Sequence, residues 1–216
     1  MRVEQPEGSR GSLKWIQRAV ETRPEVLAHP DLAPIDWVSP LRNDAFAEYR
    51  DGAFLKRLNL SWLENELAEF WPRRGPQWDA LGLAGDKIVL VEAKARVPEF
   101  VSPACQASES SLLKIRTSFD RVKDALGVES HFDWTQRYYQ YANRIAHVWW
   151  LRHSGVDAHL LFVDFLNAKE VAGPSDIETW QSAYTAADLQ LGLPGNHPLS
   201  AFMHHIYPDV ALLEQA

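Results

Sequence analysis

The feature that most constrains this chain is a continuous apolar run that ends abruptly in charged residues. Residues 88–91 read Ile-Val-Leu-Val, and Glu92, Ala93 and Lys94 follow at once. A run of this kind is typical of a strand that is buried on both faces. Because alternate residues of a strand share a face, Glu92 and Lys94 are predicted to point the same way.

A second strand is predicted directly before the first one. Gly85-Asp86 lies between residues 77–84 and 87–95 and is a turn signal, so the two segments are expected to form a hairpin. Asp79 then lies on the neighbouring strand and is expected to converge with Glu92 and Lys94. Burying such charges is costly unless they bind a metal or pair with one another. Oxygen ligands favour a hard cation, Mg²⁺ or Mn²⁺.

Around this hairpin the sequence predicts an α/β sandwich with a mixed central sheet flanked by helices. A helix is expected over residues 54–70, where Trp71-Pro72 ends an apolar pattern of period 3.6. The other predicted elements are helices at 110–126, 134–153 and 175–187 and a strand at 159–166. Residues 1–11 are expected to be frayed, and residues 23–53 to be an irregular connection with a short helix near 43–50. We therefore expect one domain over 1–216, with a core at 54–165, an N-terminal extension at 1–53 and a C-terminal elaboration at 166–216.

The converging residues suit phosphodiester hydrolysis. In this interpretation Asp79 and Glu92 hold the metal, which polarises a phosphate oxygen and generates hydroxide from bound water. Lys94 orients that water or stabilises charge that develops on the phosphate. The alternative interpretation is an ordinary cluster of ion pairs at a strand end.

The pattern Asp-x(12)-Glu-Ala-Lys on a hairpin, with one helix before it and two after it, resembles the PD-(D/E)xK or restriction-endonuclease-like superfamily. The resemblance covers residues 54–165, and Trp78 stands where the family name leads one to expect proline. It implies the restriction-endonuclease-like fold, a nuclease dependent on Mg²⁺ or Mn²⁺, and DNA as the substrate. It also implies that the Ala93 carbonyl is a further metal ligand and that a homodimer is possible. Uncharacterised bacterial members are more similar than the site-specific restriction enzymes.

Two other functions stay open at this stage. A catalytically silent nuclease-like fold would bind nucleic acid or protein, and the acidic composition favours it. An enzyme that acts on another phosphate ester with the same metal chemistry cannot be separated from a nuclease by sequence.

Glu66 is the candidate for an additional catalytic and metal-binding carboxylate. On a helix over residues 54–70 it falls near the middle of the apolar arc, where a carboxylate needs a partner. The superfamily resemblance implies an acidic ligand on the helix before the hairpin, which makes Glu66 the first choice and Glu69 the second. The alternative is a salt bridge from Glu66 to a buried arginine or lysine, including Lys94.

Six residues are candidates for contacts to nucleic acid: Arg73, Arg74, Arg96, Arg137, Gln140 and Arg144. The last three recur at i, i+3 and i+7 on the helix predicted at 134–153, beside its aromatic face. Arginine and glutamine there can bond phosphate, although a solvated basic flank is an equal alternative. The first three are close in sequence to the proposed catalytic residues.

Composition sets limits on these functions. The chain has 29 Asp and Glu against 22 Lys and Arg, a net charge of −7. This charge argues against a broad basic surface that binds nucleic acid nonspecifically. The single cysteine, Cys105, excludes an internal disulfide framework and a thiolate zinc cage. His204 and His205 lack the same-face spacing of a zinc site. With no secretory signal and no apolar run of membrane-spanning length, we expect no membrane contact and a cytoplasmic protein.

Overall fold

A computed structural model describes residues 1–32 and 34–214 of the chain as a mixed five-stranded sheet flanked by helices. The strands are β1 (Arg2–Val3), β2 (Asp36–Ser39), β3 (Glu48–Tyr49), β4 (Ala80–Ala84), β5 (Lys87–Lys94), β6 (Ala158–Asp164) and β7 (Met203–Ile206). The helices are α1 (Gly11–Thr22), α2 (Gly52–Arg57), α3 (Glu64–Phe70), α4 (Val97–Phe100), α5 (Glu109–Leu126), α6 (Tyr139–His153), α7 (Ile177–Leu191) and α8 (Ala211–Glu214). The prediction of an α/β architecture with a mixed central sheet is confirmed.

The sheet has the strand order β2-β4-β5-β6-β7. Strands β2, β4 and β5 are antiparallel neighbours, and Gly85-Asp86 forms the two-residue turn of the β4–β5 hairpin, where Gly85 has φ +63°. Strands β5, β6 and β7 run parallel. The carboxyl ends of these parallel strands therefore lie at one edge, and Glu92 and Lys94 stand at that edge.

Each face of the sheet has its own apolar core. Val89, Val91 and Leu161 face Trp15 and Ile16 of α1. Residues of the opposite parity, such as Leu90 and Phe162, face the larger core built with α5, α6 and α7. Glu92 has the parity of Leu90, so its side chain lies on the side of the larger core. Among the described residues, no helix combines the length and the apolar character that a membrane crossing requires.

The prediction of one continuous helix over residues 54–70 is wrong. Helix α2 ends at Arg57, Asn59 adopts a left-handed conformation with φ 61°, and a 3₁₀ turn at Ser61–Leu63 precedes α3. A left-handed residue interrupts the ladder of helical hydrogen bonds, and asparagine accepts that conformation more readily than most residues. The apolar arc is broken with the helix, so Glu66 is exposed instead of inward-facing.

The helix predicted at 134–153 begins later than expected, at Tyr139. Tyr138 has a left-handed φ of 63° and stands directly before the first turn. Arg137 therefore lies outside the helix, and the predicted stripe of Arg137, Gln140 and Arg144 does not exist. Gln140 and Arg144, which are four residues apart, remain on one face of α6.

The first 53 residues are more ordered than their sequence indicates. Residues 1–11 are not frayed at their start, because β1 pairs with β3. The irregular connection predicted at 23–53 contains both β2 and β3, and β3 replaces the short helix predicted near 43–50. Partners distant in sequence create these strands, which local patterns do not reveal. The elements predicted at 87–95, 110–126 and 159–166 are confirmed with small shifts of their ends.

Candidate functional site

Asp79, Glu92 and Lys94 come together in an open cleft of about 610 Å³ at the carboxyl end of β5. Glu92 and Lys94 share one face of this strand, and Lys94 Nζ bonds Oε1 of Glu92. Asp79 immediately precedes β4 and lies beside β5 because the hairpin turn folds the two strands together. The predicted convergence of the three side chains is present.

Glu92 is a buried carboxylate that two cations hold. Lys94 bonds one of its oxygens, and Arg144 donates from Nε to the other at 2.5 Å. Burial alone would raise the pKa of Glu92, but Arg144 and Lys94 outweigh burial and lower it. The two cations therefore favour the ionised form of Glu92, whose oxygens keep further lone pairs beyond the bonds to Lys94 and Arg144.

Asp79 is held by the backbone of the neighbouring strand. Its Oδ2 accepts a hydrogen bond from the Ala93 N–H at 2.7 Å, and its own N–H donates to the Val91 carbonyl at 3.2 Å. This leaves Oδ1 available in the cleft. Burial, followed by the nearby negative charge of Glu92, raises the pKa of Asp79.

A third carboxylate, Glu48, also lines the cleft and was not anticipated from the sequence. It lies on β3 and accepts hydrogen bonds from Gln77 Nε2 at 2.5 Å and from Gln5 Nε2 at 3.1 Å. Burial and the charge of Glu92 raise its pKa. The available signal was a carboxylate inside the apolar stretch of residues 46–49, but nothing local connects that stretch to the hairpin.

Glu66 and Glu69 do not belong to this cleft. Both are exposed on α3, and neither lines the cavity that holds Asp79 and Glu92. The structure does not bring Glu66 to the proposed metal ligands, and the alternative of a buried salt bridge to Lys94 is likewise not formed. Glu48 stands where the prediction had put Glu66.

Arg144 and Gln140 reach the site from the first turns of α6. Besides Glu92, Arg144 bonds the Gln77 carbonyl through Nη2 at 2.7 Å and the Asn143 amide oxygen through Nη1 at 3.0 Å. Gln140 Oε1 lies 3.4 Å from Lys94 Nζ. Arg144 is therefore not part of a solvated flank. Its guanidinium is already bonded by the chain, which argues against the predicted contact to phosphate.

Of the other predicted nucleic-acid contacts, one lies in the cleft and three lie outside it. Arg74 is exposed and lines the cleft, whereas Arg73 lines an adjacent cavity beside His147. Arg96 does not line the cleft, and it pairs with Glu99 at 3.2 Å. Arg137 is exposed and lies over the Tyr138 ring. Of the six candidates, the structure brings Arg74, Gln140 and Arg144 to the cleft and leaves Arg73, Arg96 and Arg137 outside it.

The immediate charges of the cleft favour a cation. Glu48, Asp79 and Glu92 supply three negative charges, whereas Lys94 and Arg144 supply two positive ones, which leaves one formal negative charge when all five are ionised. Oxygen donors from carboxylates are the ligands that Mg²⁺ and Mn²⁺ prefer. Asp79, Glu92 and Glu48 therefore offer the type of donor that a hard divalent cation takes, although their oxygens do not all lie within 4.8 Å of one another in the described part of the chain.

Comparison of the chain with protein-family models, with curated proteins and with solved structures finds no match. The functional conclusion therefore depends on the chemistry of the cleft itself.

Proposed function

We propose that this chain is a metal-dependent nuclease of the PD-(D/E)xK superfamily that hydrolyses phosphodiester bonds, with DNA as its substrate. The convergence of Asp79, Glu92 and Lys94 in one open cleft supports the proposal most strongly. The choice of DNA over RNA depends on the superfamily resemblance alone. The open cleft gives room for a polymer backbone, and Arg74 at its wall offers a phosphate contact.

In this proposal Asp79, Glu92 and Glu48 hold Mg²⁺ or Mn²⁺, with the Ala93 carbonyl as a further ligand. The cation supplies charge neutralisation on the phosphate and lowers the pKa of a bound water. Glu48 takes the role that the sequence had assigned to Glu66. Gln5 and Gln77 position Glu48 through their amide groups.

The remaining residues bind, orient and hold charge. Lys94 presents an ammonium group beside Glu92, where it stabilises charge on a phosphate oxygen or orients the attacking water. Gln140 contacts the same ammonium group and limits its motion. Arg144 keeps Glu92 ionised and in place through its bond to Oε2, so it acts as a positioning residue.

The decisive experiment is a cleavage assay with plasmid DNA, single-stranded DNA and RNA in Mg²⁺ or Mn²⁺. The wild type is compared with Glu92→Gln and Lys94→Met, which keep side-chain size, and with Glu66→Gln as a control outside the cleft. We expect metal-dependent cutting of DNA that both cleft variants lose and the control keeps. Preferential cutting of RNA would retain the nuclease and correct its substrate. Equal cutting by all four proteins would reject the proposed site.

One observation favours a second function, a nuclease-like fold that binds nucleic acid or protein without catalysis. Arg144 already satisfies one oxygen of Glu92 with a fixed positive charge, as a protein group does when no metal is needed. Calorimetric titration with Mg²⁺ and Mn²⁺ separates the two functions. A folded protein that binds neither metal and cuts none of the three substrates would support the binding module.

A further inference from the structure

Three histidines and two aspartates gather on the opposite face of the sheet from the cleft. His204 lies on β7 and pairs in register with Leu161, which belongs to the core under α1. His159 lies near the start of β6. His29 and Asp31 belong to the segment that follows α1, and Asp157 precedes β6. The cluster therefore stands near the beginning of β6, whereas Glu92 and Lys94 stand at the end of β5.

Three of these side chains present ligand atoms to one small volume. His29, Asp31 and His204 each offer one atom, and these atoms all lie within 4.8 Å of one another. Asp31 Oδ2 is 3.9 Å from His29 Nδ1 and 4.0 Å from His204 Nδ1. Ligand atoms around a tetrahedral zinc ion stand about 3.3–3.5 Å apart, since each lies about 2.0–2.2 Å from the metal. The two distances from Asp31 Oδ2 would have to shorten by about half an ångström, and the distance between the two histidine nitrogens, which is at most 4.8 Å, by up to about 1.4 Å.

The hydrogen bonds behind His204 leave a lone pair directed at this volume. His204 Nε2 and His159 Nδ1 are 2.9 Å apart, so one of them carries the shared hydrogen. His159 Nε2 lies 3.2 Å from Asp157 Oδ1 without the alignment of a hydrogen bond, and that carboxylate favours a hydrogen on Nε2. A neutral His159 then accepts at Nδ1, and His204 donates from Nε2. His204 Nδ1 is consequently a bare acceptor that faces the acceptor Asp31 Oδ2.

Two acceptors that face each other across 4.0 Å leave a space that a cation could occupy. The nearest lysine does not fill the gap, because Lys87 Nζ bonds the backbone carbonyl of Asp31. The competing bond is the one from the Asp31 N–H to His29 Nδ1 at 3.2 Å, which a metal would replace.

We propose that His29, Asp31 and His204 form a site for a borderline transition-metal dication, with Zn²⁺ as the representative ion. Two imidazoles and one carboxylate suit zinc and disfavour Mg²⁺ and Ca²⁺, which take oxygen ligands. Asp31 is 73% exposed, so the fourth position would be open to water. His159 and Asp157 orient His204 from behind, the arrangement that commonly supports a metal-bound histidine. This site is independent of the proposed nuclease function.

Zinc at this position would tie the segment after α1 to strand β7. Residue 31 also contacts β5 through Lys87, so the ion would link three parts of the chain. Binding to the folded chain alone would then raise thermal stability in proportion to zinc concentration.

The test uses the full chain stripped of metal, titrated with Zn²⁺ by calorimetry and with Co²⁺ by visible absorption, which reports tetrahedral nitrogen and oxygen ligation. Asp31→Asn and His29→Ala alter side chains near the surface and should keep the fold, as circular dichroism verifies. We expect one Zn²⁺ per chain whose binding does not depend on the cleft, and a loss of its affinity of about tenfold or more in each of these two variants. His159→Gln removes no ligand and should weaken binding by about 10–100-fold, the usual effect of an orienting partner.

Two controls make the outcome specific. His131→Ala removes an exposed histidine outside the cluster and should bind Zn²⁺ as the wild type does. Glu92→Gln alters the cleft and should also keep Zn²⁺ binding, so a failure of the proposed nuclease leaves this test intact. Folded wild type without Zn²⁺ binding would overturn the proposal. Unchanged affinity in Asp31→Asn and His29→Ala, or a loss confined to Glu92→Gln, would overturn it as well.

Discussion

Arg144 donates from Nε to Oε2 of Glu92 at 2.5 Å, and both side chains are at most 5% exposed. Removing one partner of a buried ion pair leaves the other charge without compensation. We expect Arg144→Met to lower the free energy of unfolding by about 3 kcal/mol, the lower end of the usual range because Lys94 remains beside Glu92. Urea denaturation measures this, with the exposed Arg137→Met as control. Equal stability of the two variants would contradict a structural role for Arg144.

Glu48→Gln should weaken Mg²⁺ or Mn²⁺ binding by about tenfold or more, because it removes one carboxylate from the immediate surroundings of the cation. The variant keeps the size of the side chain and an oxygen that accepts from Gln77. Glu66→Gln is the matched control on α3 and should bind metal as the wild type does. Calorimetric titration of both variants decides between Glu48 and Glu66, and the reverse result would restore the prediction made from sequence.

Lys94→Met should separate catalysis from metal binding. In the proposed mechanism the ammonium group is not a metal ligand, so the affinity for Mg²⁺ should not fall, whereas kcat should drop by about 10²–10³, the usual effect of losing one group that stabilises the transition state. Single-turnover cleavage beside a metal titration measures both quantities. Wild-type rates in this variant would remove Lys94 from the mechanism.

Arg74→Ala should weaken DNA binding at low ionic strength, because Arg74 alone among the three arginines near the hairpin lines the cleft. One lost phosphate contact reduces the slope of log affinity against log salt by about 1. Fluorescence anisotropy at several salt concentrations measures the slope. Arg96→Ala, whose arginine pairs with Glu99, is the control and should leave the slope unchanged.

His147 should make stability dependent on pH. Burial lowers the pKa of His147 from an ordinary value of 6.5 to about 3, and its ring packs 4.8 Å from the Trp71 ring. Below about pH 6.5 the unfolded chain binds a proton at His147, whereas the folded chain binds it only near pH 3. The contribution of neutral His147 to stability is therefore complete above about pH 6.5 and is lost as the pH falls towards 3. The loss at pH 5 should be about 2 kcal/mol.

The measurement is urea denaturation at neutral pH and near pH 5. The difference between the two conditions should be larger in the wild type than in His147→Gln by the amount given above. His131→Gln, which alters an exposed histidine, should behave as the wild type does. An equal pH dependence in wild type and His147→Gln would assign the effect to other groups.

Local patterns predicted the parts of the site that one hairpin brings together. Asp79, Glu92 and Lys94 are linked by a two-residue turn and by strand parity, both of which are visible in the sequence. The elements at 87–95, 110–126 and 159–166 also carry strong periodic or continuous apolar patterns, and these were confirmed.

The incorrect predictions depend on the backbone conformations of single residues and on contacts between residues distant in sequence. Asn59 and Tyr138 adopt left-handed conformations inside segments with unbroken helical periodicity, and periodicity does not register one residue of this kind. Glu48 reaches the cleft because its neighbour Tyr49 pairs with Trp78, just before the hairpin, a contact between residues distant in sequence. The position of Arg144 behind Glu92 depends in turn on where α6 begins.

The pairing of β1 with β3 has a practical consequence for dissecting the protein. A fragment trimmed to residues 54–165 would retain Asp79, Glu92 and Lys94, yet it would lack Glu48 and the Gln5 amide that steadies it. Strands β2 and β7, at the two margins of the sheet, would be missing as well. In such a fragment Lys94 and Arg144 would still contact Glu92, but the negative charge of Glu48 would be missing from the cleft. Inactivity of this fragment would show only that its cleft is incomplete, and it would not test the activity of the intact chain.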